Sequence, residues 1–217
     1  MALALFDLDK TLIEGDSDHT WGIFLTEIGV VDAAEHAKAQ DKFYTDYLNC
    51  VLDINEFLAF QLAPLRDNTM ADLLAWRDEF IQQKILPIMH SSKVELVEKH
   101  RAQGDELVII TATNSFITRP IADLFNIDTL IATEPEQNIH GFTGKVVGTP
   151  CFQAGKITKL NEWMNNTHHT LQGSWFYSDS YNDLPLLQEV DHPVCVSPDD
   201  QLTKHAQQHN WPIFPNI

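Results

Sequence analysis

Apolar positions in this chain follow two periods. An unbroken run, Ala2-Leu3-Ala4-Leu5-Phe6, opens it, and charge follows at once at Asp7 and Asp9. A short apolar run closed by charge reads as a buried strand. Leu107-Val108-Ile109-Ile110 repeats the pattern and ends in Thr111-Ala112-Thr113-Asn114. Ser174-Trp175-Phe176-Tyr177 is a third case, ending in Ser178-Asp179-Ser180-Tyr181-Asn182-Asp183. Leu130-Ile131-Ala132 and Pro193 to Val196 predict two more short strands, and Phe142 to Val147 predicts a hairpin arm. The gap between the first two strands is too long for one crossover helix. It carries helical spacing instead: Thr20 to Ile28 with Gly29 as a stop, Ala33 to Cys50, Ile54 to Leu62, and Met70 to Ile88. Asn55, Thr69 and Asp72 lie near helix starts. Later helices are predicted over Ser91 to Gln103, stopped by Gly104, Ile117 to Phe125 with Pro120 in its first turn, Lys156 to Asn165, Leu184 to Val190 and Gln201 to His209.

Strands alternating with helices give an α/β fold, a Rossmann-like three-layer core with a parallel sheet. The helical stretch over residues 14–84 reads as an insert in a core built from 1–13 and 85–217. In open α/β sheets ligands bind at the carboxyl ends of the strands, which is where the acids fall.

Composition narrows the function. At 217 residues and 44% hydrophobic, the chain suits one domain, or a core plus a small insert. A formal net charge of -17 argues against nucleic acid as partner, because phosphate backbones need clustered Lys and Arg. It leaves room for a small phosphorylated substrate, since a bound cation and a few donors set the local field. Three widely spaced cysteines, Cys50, Cys151 and Cys195, without a CxxC pair, fit a reduced, cytoplasmic setting. The apolar start is too short for a signal segment or a membrane span. His168-His169 reads as surface loop, and Trp21, Phe24, Phe43, Tyr44 and Tyr47 read as core at helical spacing, Trp21 being the one close to Asp16.

Asp7 and Asp9, two apart, share one face of a strand. Asp179 and Asp183, four apart, share one side of a loop-to-helix start, where they suit a hard cation or, alternatively, the helix terminus itself. Thr111, at a strand leading into a helix, marks an anion site or merely a strand end.

Acid pair, hydroxyl, the lysine of Gly155-Lys156, and second acid pair, in that order over nearly the whole chain, resemble the haloacid dehalogenase superfamily of phosphohydrolases. The likeness is greatest to the subfamily, IB, that contains phosphoserine phosphatase. The resemblance implies a Mg2+-dependent phosphomonoesterase of a small metabolite, with the helical insert as a cap over the site. Asp7 would be the nucleophile that becomes an aspartyl-phosphate. Asp9 would protonate the leaving alkoxide and then activate water. The Asp7 and Asp179 carboxylates and the Asp9 carbonyl would hold the metal, with Asp183 as an outer partner. Thr111 and the backbone at Ala112 would hold phosphoryl oxygens, with Asn114 a further donor. Lys156 would neutralise charge, with Lys159 one turn on as its rival, and Asn182 would touch substrate or fix the acidic loop.

The resemblance also places an acid nine residues after the nucleophile, here Asp16, against a substrate amine. Its counterpart for a substrate carboxylate is a cap arginine. The insert holds only Arg66 and Arg77, and neither aligns, which counts against phosphoserine; histidinol phosphate would need the acid without the arginine, and an amine-bearing phosphate of either kind is the expected substrate. Glu14 and Asp18 also follow the nucleophile closely, and read at least as well as a solvated acidic turn as they do as substrate contacts. Lys10 stands where relatives often carry Gly or Ser. Rival readings are a phosphomutase or phosphotransferase, or a non-catalytic binding protein on the same fold. Dehalogenation is disfavoured, because it has no use for Asp9, Asp179 and Asp183.

Overall fold

A computed structural model describes residues 2–214. Met1 and 215–217, the outermost positions of the two expected core segments, lie outside the described residues. Strand β1 (Leu3–Phe6) is central in a seven-stranded sheet of order β4-β3-β2-β1-β5-β6-β7. The other strands are β2 (Glu106–Asn114), β3 (Thr129–Asn138), β4 (Gly141–Val147), β5 (Trp175–Ser178), β6 (His192–Val196) and β7 (Ile213–Phe214). All pairings are parallel except β3 with β4, the expected hairpin. The chain lays down β2 and β3 on one side of β1 and β5 on the other. That reversal opens a crevice at the carboxyl ends of β1, β2 and β5.

Strand alternation divides the core into two layers. Ala4, Phe6, Leu107 and Ile109 face one cluster, and Leu3, Leu5, Val108 and Ile110 face the other. The first is covered by α6 (Ser91–Gln103), α7 (Ser115–Leu124) and the helices between β1 and β2. The second is covered by α8 (Ala154–Thr167), α9 (Leu184–Leu187) and α10 (Asp200–His209). Residues 14–84 carry α1 (Ser17–Glu27), α2 (Ala33–Leu48), α3 (Ile54–Gln61), α4 (Ala63–Asp67) and α5 (Met70–Phe80). Trp21 of α1 packs edge-on against Phe80 of α5 and Phe116 of α7, with centroids 5.1 and 6.3 Å away. It is core, 1% exposed.

Several boundaries differ from the sequence reading. The helix predicted to Ile88 ends at Phe80, followed by a π turn over Ile81–Ile85 and a 3-10 turn over Leu86–Ile88, because Pro87 cannot continue the ladder. The helix α3 begins at Ile54, beside Asn55, with Asp53 as its cap, and α9 stops at Leu187 rather than Val190. Strand β3 is ten residues long rather than three, because its second half pairs with β4. Pro120 sits inside α7, not in its first turn, because Asn114 caps the helix earlier by accepting from the Ile117 amide at 3.3 Å. A proline there removes the bond to the Phe116 carbonyl. Arg77 of α5 supplies a donor instead, with Nη1 3.0 Å from that oxygen.

Candidate active site

Phe6 is the last residue of β1, and the Asp7 amide still donates to the Tyr177 carbonyl of β5 at 2.9 Å. The chain then turns sharply. The Leu8 carbonyl accepts from the amides of Thr11, Leu12 and Ile13, and Lys10 takes a left-handed φ of 57°. That conformation suits Gly better than Lys. The turn holds both acids on the cavity side. Asp9 Oδ1 accepts from the Ser17 amide at 2.6 Å, and Oδ2 from the Thr113 hydroxyl at 2.8 Å.

Lys156 lies in the first turn of α8. Gly155 before it is required by space, because a Cβ there would overlap the Pro150 carbonyl oxygen. The buried ammonium of Lys156 lies 2.7 Å from Asp7 Oδ1 and 2.7 Å from Asp183 Oδ2. Asp183 Oδ2 also accepts from the Ser178 hydroxyl at 2.7 Å. Lys159, the rival, is absent from the cavity wall. Thr11 donates to Asp179 Oδ1 at 3.4 Å.

These carboxylates outnumber the cation among them. Burial pushes Asp7 up to about 7; Lys156 opposes this, and Asp183 and Asp9 add to it. Burial and Asp16 push Asp9 up to about 6, against the bonds from Ser17 and Thr113. Asp179 is raised by burial and then by Asp7. Burial pulls Lys156 down, but Asp183 and Asp7 more than reverse it, so the ammonium stays protonated. A surplus of oxygen-borne negative charge facing a cavity fits a hard divalent cation. Among the described residues no three His, Cys, Asp or Glu side chains converge as a metal group. Magnesium does not require that, since it binds through one or two carboxylates and keeps waters and substrate oxygens for the rest.

Thr111, Ala112, Asp16 and Asn182 all line the same cavity of about 560 Å3, together with Asp7, Asp9, Lys156, Asp179 and Asp183. Thr111 accepts from the Thr113 amide at 3.2 Å, and the Ala112 carbonyl accepts from Thr133 at 2.7 Å where β2 is irregular. Asn114 is engaged in capping α7 and does not reach the cavity wall. Asn182 accepts from Gln153 at 2.8 Å and donates to the Tyr47 carbonyl at 3.2 Å.

Two sequence readings are corrected here, on Asp18 and on the α2 aromatics. Asp18 is not a solvated acid but is 7% exposed on the cavity wall, and burial, then Asp16 and Asp9, hold it well above the usual carboxylate range. Phe43, Tyr44 and Tyr47 line the cavity rather than only the core, and the Tyr47 hydroxyl donates to Ser180 Oγ at 2.7 Å. Neither insert arginine reaches the cavity: Arg66 pairs with Asp67, and Arg77 serves Phe116. Glu14 pairs with His90 at 2.9 Å, and His169 stacks on Trp163 with centroids 4.9 Å apart. Thr113 was missed, although it lies two residues beyond Thr111, on the same strand face.

A family model described as haloacid dehalogenase-like hydrolase matches residues 4–188. A protein of Neisseria meningitidis named histidinol-phosphatase is 46% identical over 98% of this chain and 97% of its own length. A phosphoserine phosphatase of Mycobacterium tuberculosis is 28% identical over 98% of this chain and 70% of its own. Among solved structures, a protein of unknown function from Bordetella pertussis aligns with a TM-score of 0.92 and 39% identity, covering 98% of this chain and 97% of that one. A substrate-bound phosphoserine phosphatase aligns at 0.72 with 15% identity over 98% and 92%, a likeness of fold.

Proposed function

This chain belongs to the haloacid dehalogenase-like hydrolase family, and from that premise we propose that it is a Mg2+-dependent phosphatase of a small phosphomonoester bearing a basic nitrogen, histidinol phosphate before phosphoserine. The observation that carries the reaction is the contact of the Lys156 ammonium with Asp7 Oδ1, beside an Asp9 carboxyl fixed at both oxygens.

Asp7 attacks phosphorus and forms an aspartyl-phosphate, so one difficult hydrolysis becomes two easier steps. Asp9 gives its proton to the departing alkoxide, then takes one from the water that cleaves the phosphoenzyme. A carboxyl raised to about 6 is poised for both directions near neutral pH. Lys156 stabilises negative charge on the phosphoryl oxygens and keeps Asp7 ionised. Asp183 and Ser178 orient Lys156. Thr111 and the backbone at Ala112 hold the phosphoryl group. The carboxylates of Asp7 and Asp179 and the Asp9 carbonyl would hold Mg2+, with Asp183 outside them. The ion would lower the Asp7 pKa and offset phosphoryl charge. Residues 14–84 act as the cap, with core segments 1–13 and 85–217 beneath.

The substrate reading rests on the missing arginine. Arg66 and Arg77 do not line the cavity, so the insert offers no guanidinium to a substrate carboxylate, whereas Asp16 offers a carboxylate to a basic nitrogen and the buried Asp18 a hydrogen-bond acceptor. The test is phosphate release from histidinol phosphate, phosphoserine, sugar phosphates and an aryl phosphate, with Mg2+ and with EDTA. Metal-dependent turnover led by histidinol phosphate is expected. Turnover that survives EDTA, or a preference for phosphoserine, would overturn the corresponding part. Among the described residues no helix is long and apolar enough to cross a membrane.

A further inference from the structure

The insert's wall of the cavity carries three buried polar groups without hydrogen-bond partners: Asp18 Oδ1 on α1, Gln40 Nε2 on α2 and Gln61 Nε2 on α3. Their side chains belong to residues only 7%, 7% and 5% exposed, so bulk water does not satisfy them. Buried polar groups are normally paired, and an unpaired one costs stability. Asp16 is different, for its Oδ1 caps α1 and its Oδ2 faces Lys10 at 3.8 Å. Asp18 Oδ1 therefore keeps acceptor capacity without a well-formed hydrogen bond, while the Gln61 amide stands close enough to the same carboxyl to lower its pKa against the effect of burial. Beside them stand Phe43 and Phe57, edge-to-face with centroids 5.4 Å apart, both on the cavity wall.

The chemistry of that wall restricts what fills it. Asp18 accepts a hydrogen bond, and the two carboxamides donate. An alkylammonium brings donors only, and a carboxylate brings acceptors only. A neutral imidazole brings an N–H and a ring nitrogen in one flat frame, and its faces and edges suit the phenyl rings. We propose that Asp18, Gln61 and Gln40 form a recognition subsite for a planar nitrogen heterocycle of the imidazole type, carried on the substrate away from its phosphoryl group. The proposal rests on the phosphatase reading above and assigns specificity within that site to residues that have no role in the chemical steps.

The test measures kcat/KM for histidinol phosphate and for an aryl phosphate on the same preparations of wild type, Asp18→Asn and Gln61→Leu. Any loss of folded protein cancels in the ratio of the two values. The ratio should fall at least about 30-fold in Asp18→Asn and about 10-fold in Gln61→Leu, because a site built to hydrogen-bond a group discriminates strongly through it. A ratio within about threefold of wild type in both variants, on the same scale of discrimination, would overturn the subsite. If wild type cleaves neither ester, the phosphatase reading fails by itself. Calorimetric titration with the unphosphorylated imidazole alcohol then decides the subsite. Binding weakened about tenfold or more in Asp18→Asn supports it, while equal binding, or none to wild type, overturns it.

Discussion

At the scale of single residues, Lys156 ties the site together. It is buried against two carboxylates, so removing it leaves both without their counter-charge in a low-dielectric setting, Asp183 keeping the Ser178 hydroxyl. Lys156→Met should destabilise the metal-free protein by about 3–5 kcal/mol at pH 8 in urea unfolding. The loss should shrink at pH 5, as Asp7 accepts a proton in its place. An equal loss at both pH values would show that packing, rather than charge, is what Lys156 contributes. The resemblance picked out this lysine over Lys159 because it follows a glycine, and the Pro150 carbonyl explains why that glycine is needed. Asp18 was less legible. An acid near a helix start reads as solvated, and only the later packing of α2 and α3 over α1 buries it. Thr113 shows the opposite case, since strand alternation from Thr111 already puts it on the functional face.

Helices and strands were legible wherever local pattern decides them. Gly104 ends α6 with φ 79°, as its sequence setting implies, and the paired β3 and β4 follow from the hairpin pattern. Gln40, Phe43, Tyr44 and Tyr47 fall on one stripe of α2. Periodicity marks such a stripe as turned from bulk water, but not whether it meets core or cavity. Pro120 inside α7 was illegible for a related reason. Its cost is offset by Arg77, distant in sequence, which donates to the Phe116 carbonyl and lies over the Phe116 ring, 4.6 Å from its centroid. Arg77→Ala should lower stability by about 1–3 kcal/mol through the orphaned carbonyl, with kcat on the preferred ester little changed. A large fall in kcat at unchanged stability would mean that Arg77 acts on substrate.

For the whole molecule, the acid cluster makes stability depend on pH and metal together. Unfolded aspartates lose their protons near 3.8, whereas folded Asp9 and Asp7 do so only near 6 and 7. Between those values the native state binds more protons than the unfolded one. The contribution of these groups to stability is therefore fully present below about pH 3.8 and lost as pH rises through 6 to 7. Mg2+ held as proposed would bind the ionised carboxylates, so saturating Mg2+ should raise Tm more at pH 8 than at pH 5, by roughly 5 °C, at about 2–4 °C per kcal/mol for a chain of this size. Equal shifts at both pH values would place the ion elsewhere. The sheet order and the crevice beside β1 were legible because strand ends and acids coincide in sequence, whereas the cavity's polar lining depends on how three insert helices meet. The central claim is that Asp7 carries the phosphoryl group between the two steps. Acid quenching during turnover, borohydride reduction and peptide mass spectrometry test it most directly, because reduction converts an aspartyl-phosphate to homoserine. Homoserine at position 7, and none at position 9, is the predicted result. Steady turnover with no homoserine at position 7, or with homoserine at position 9, would contradict the account.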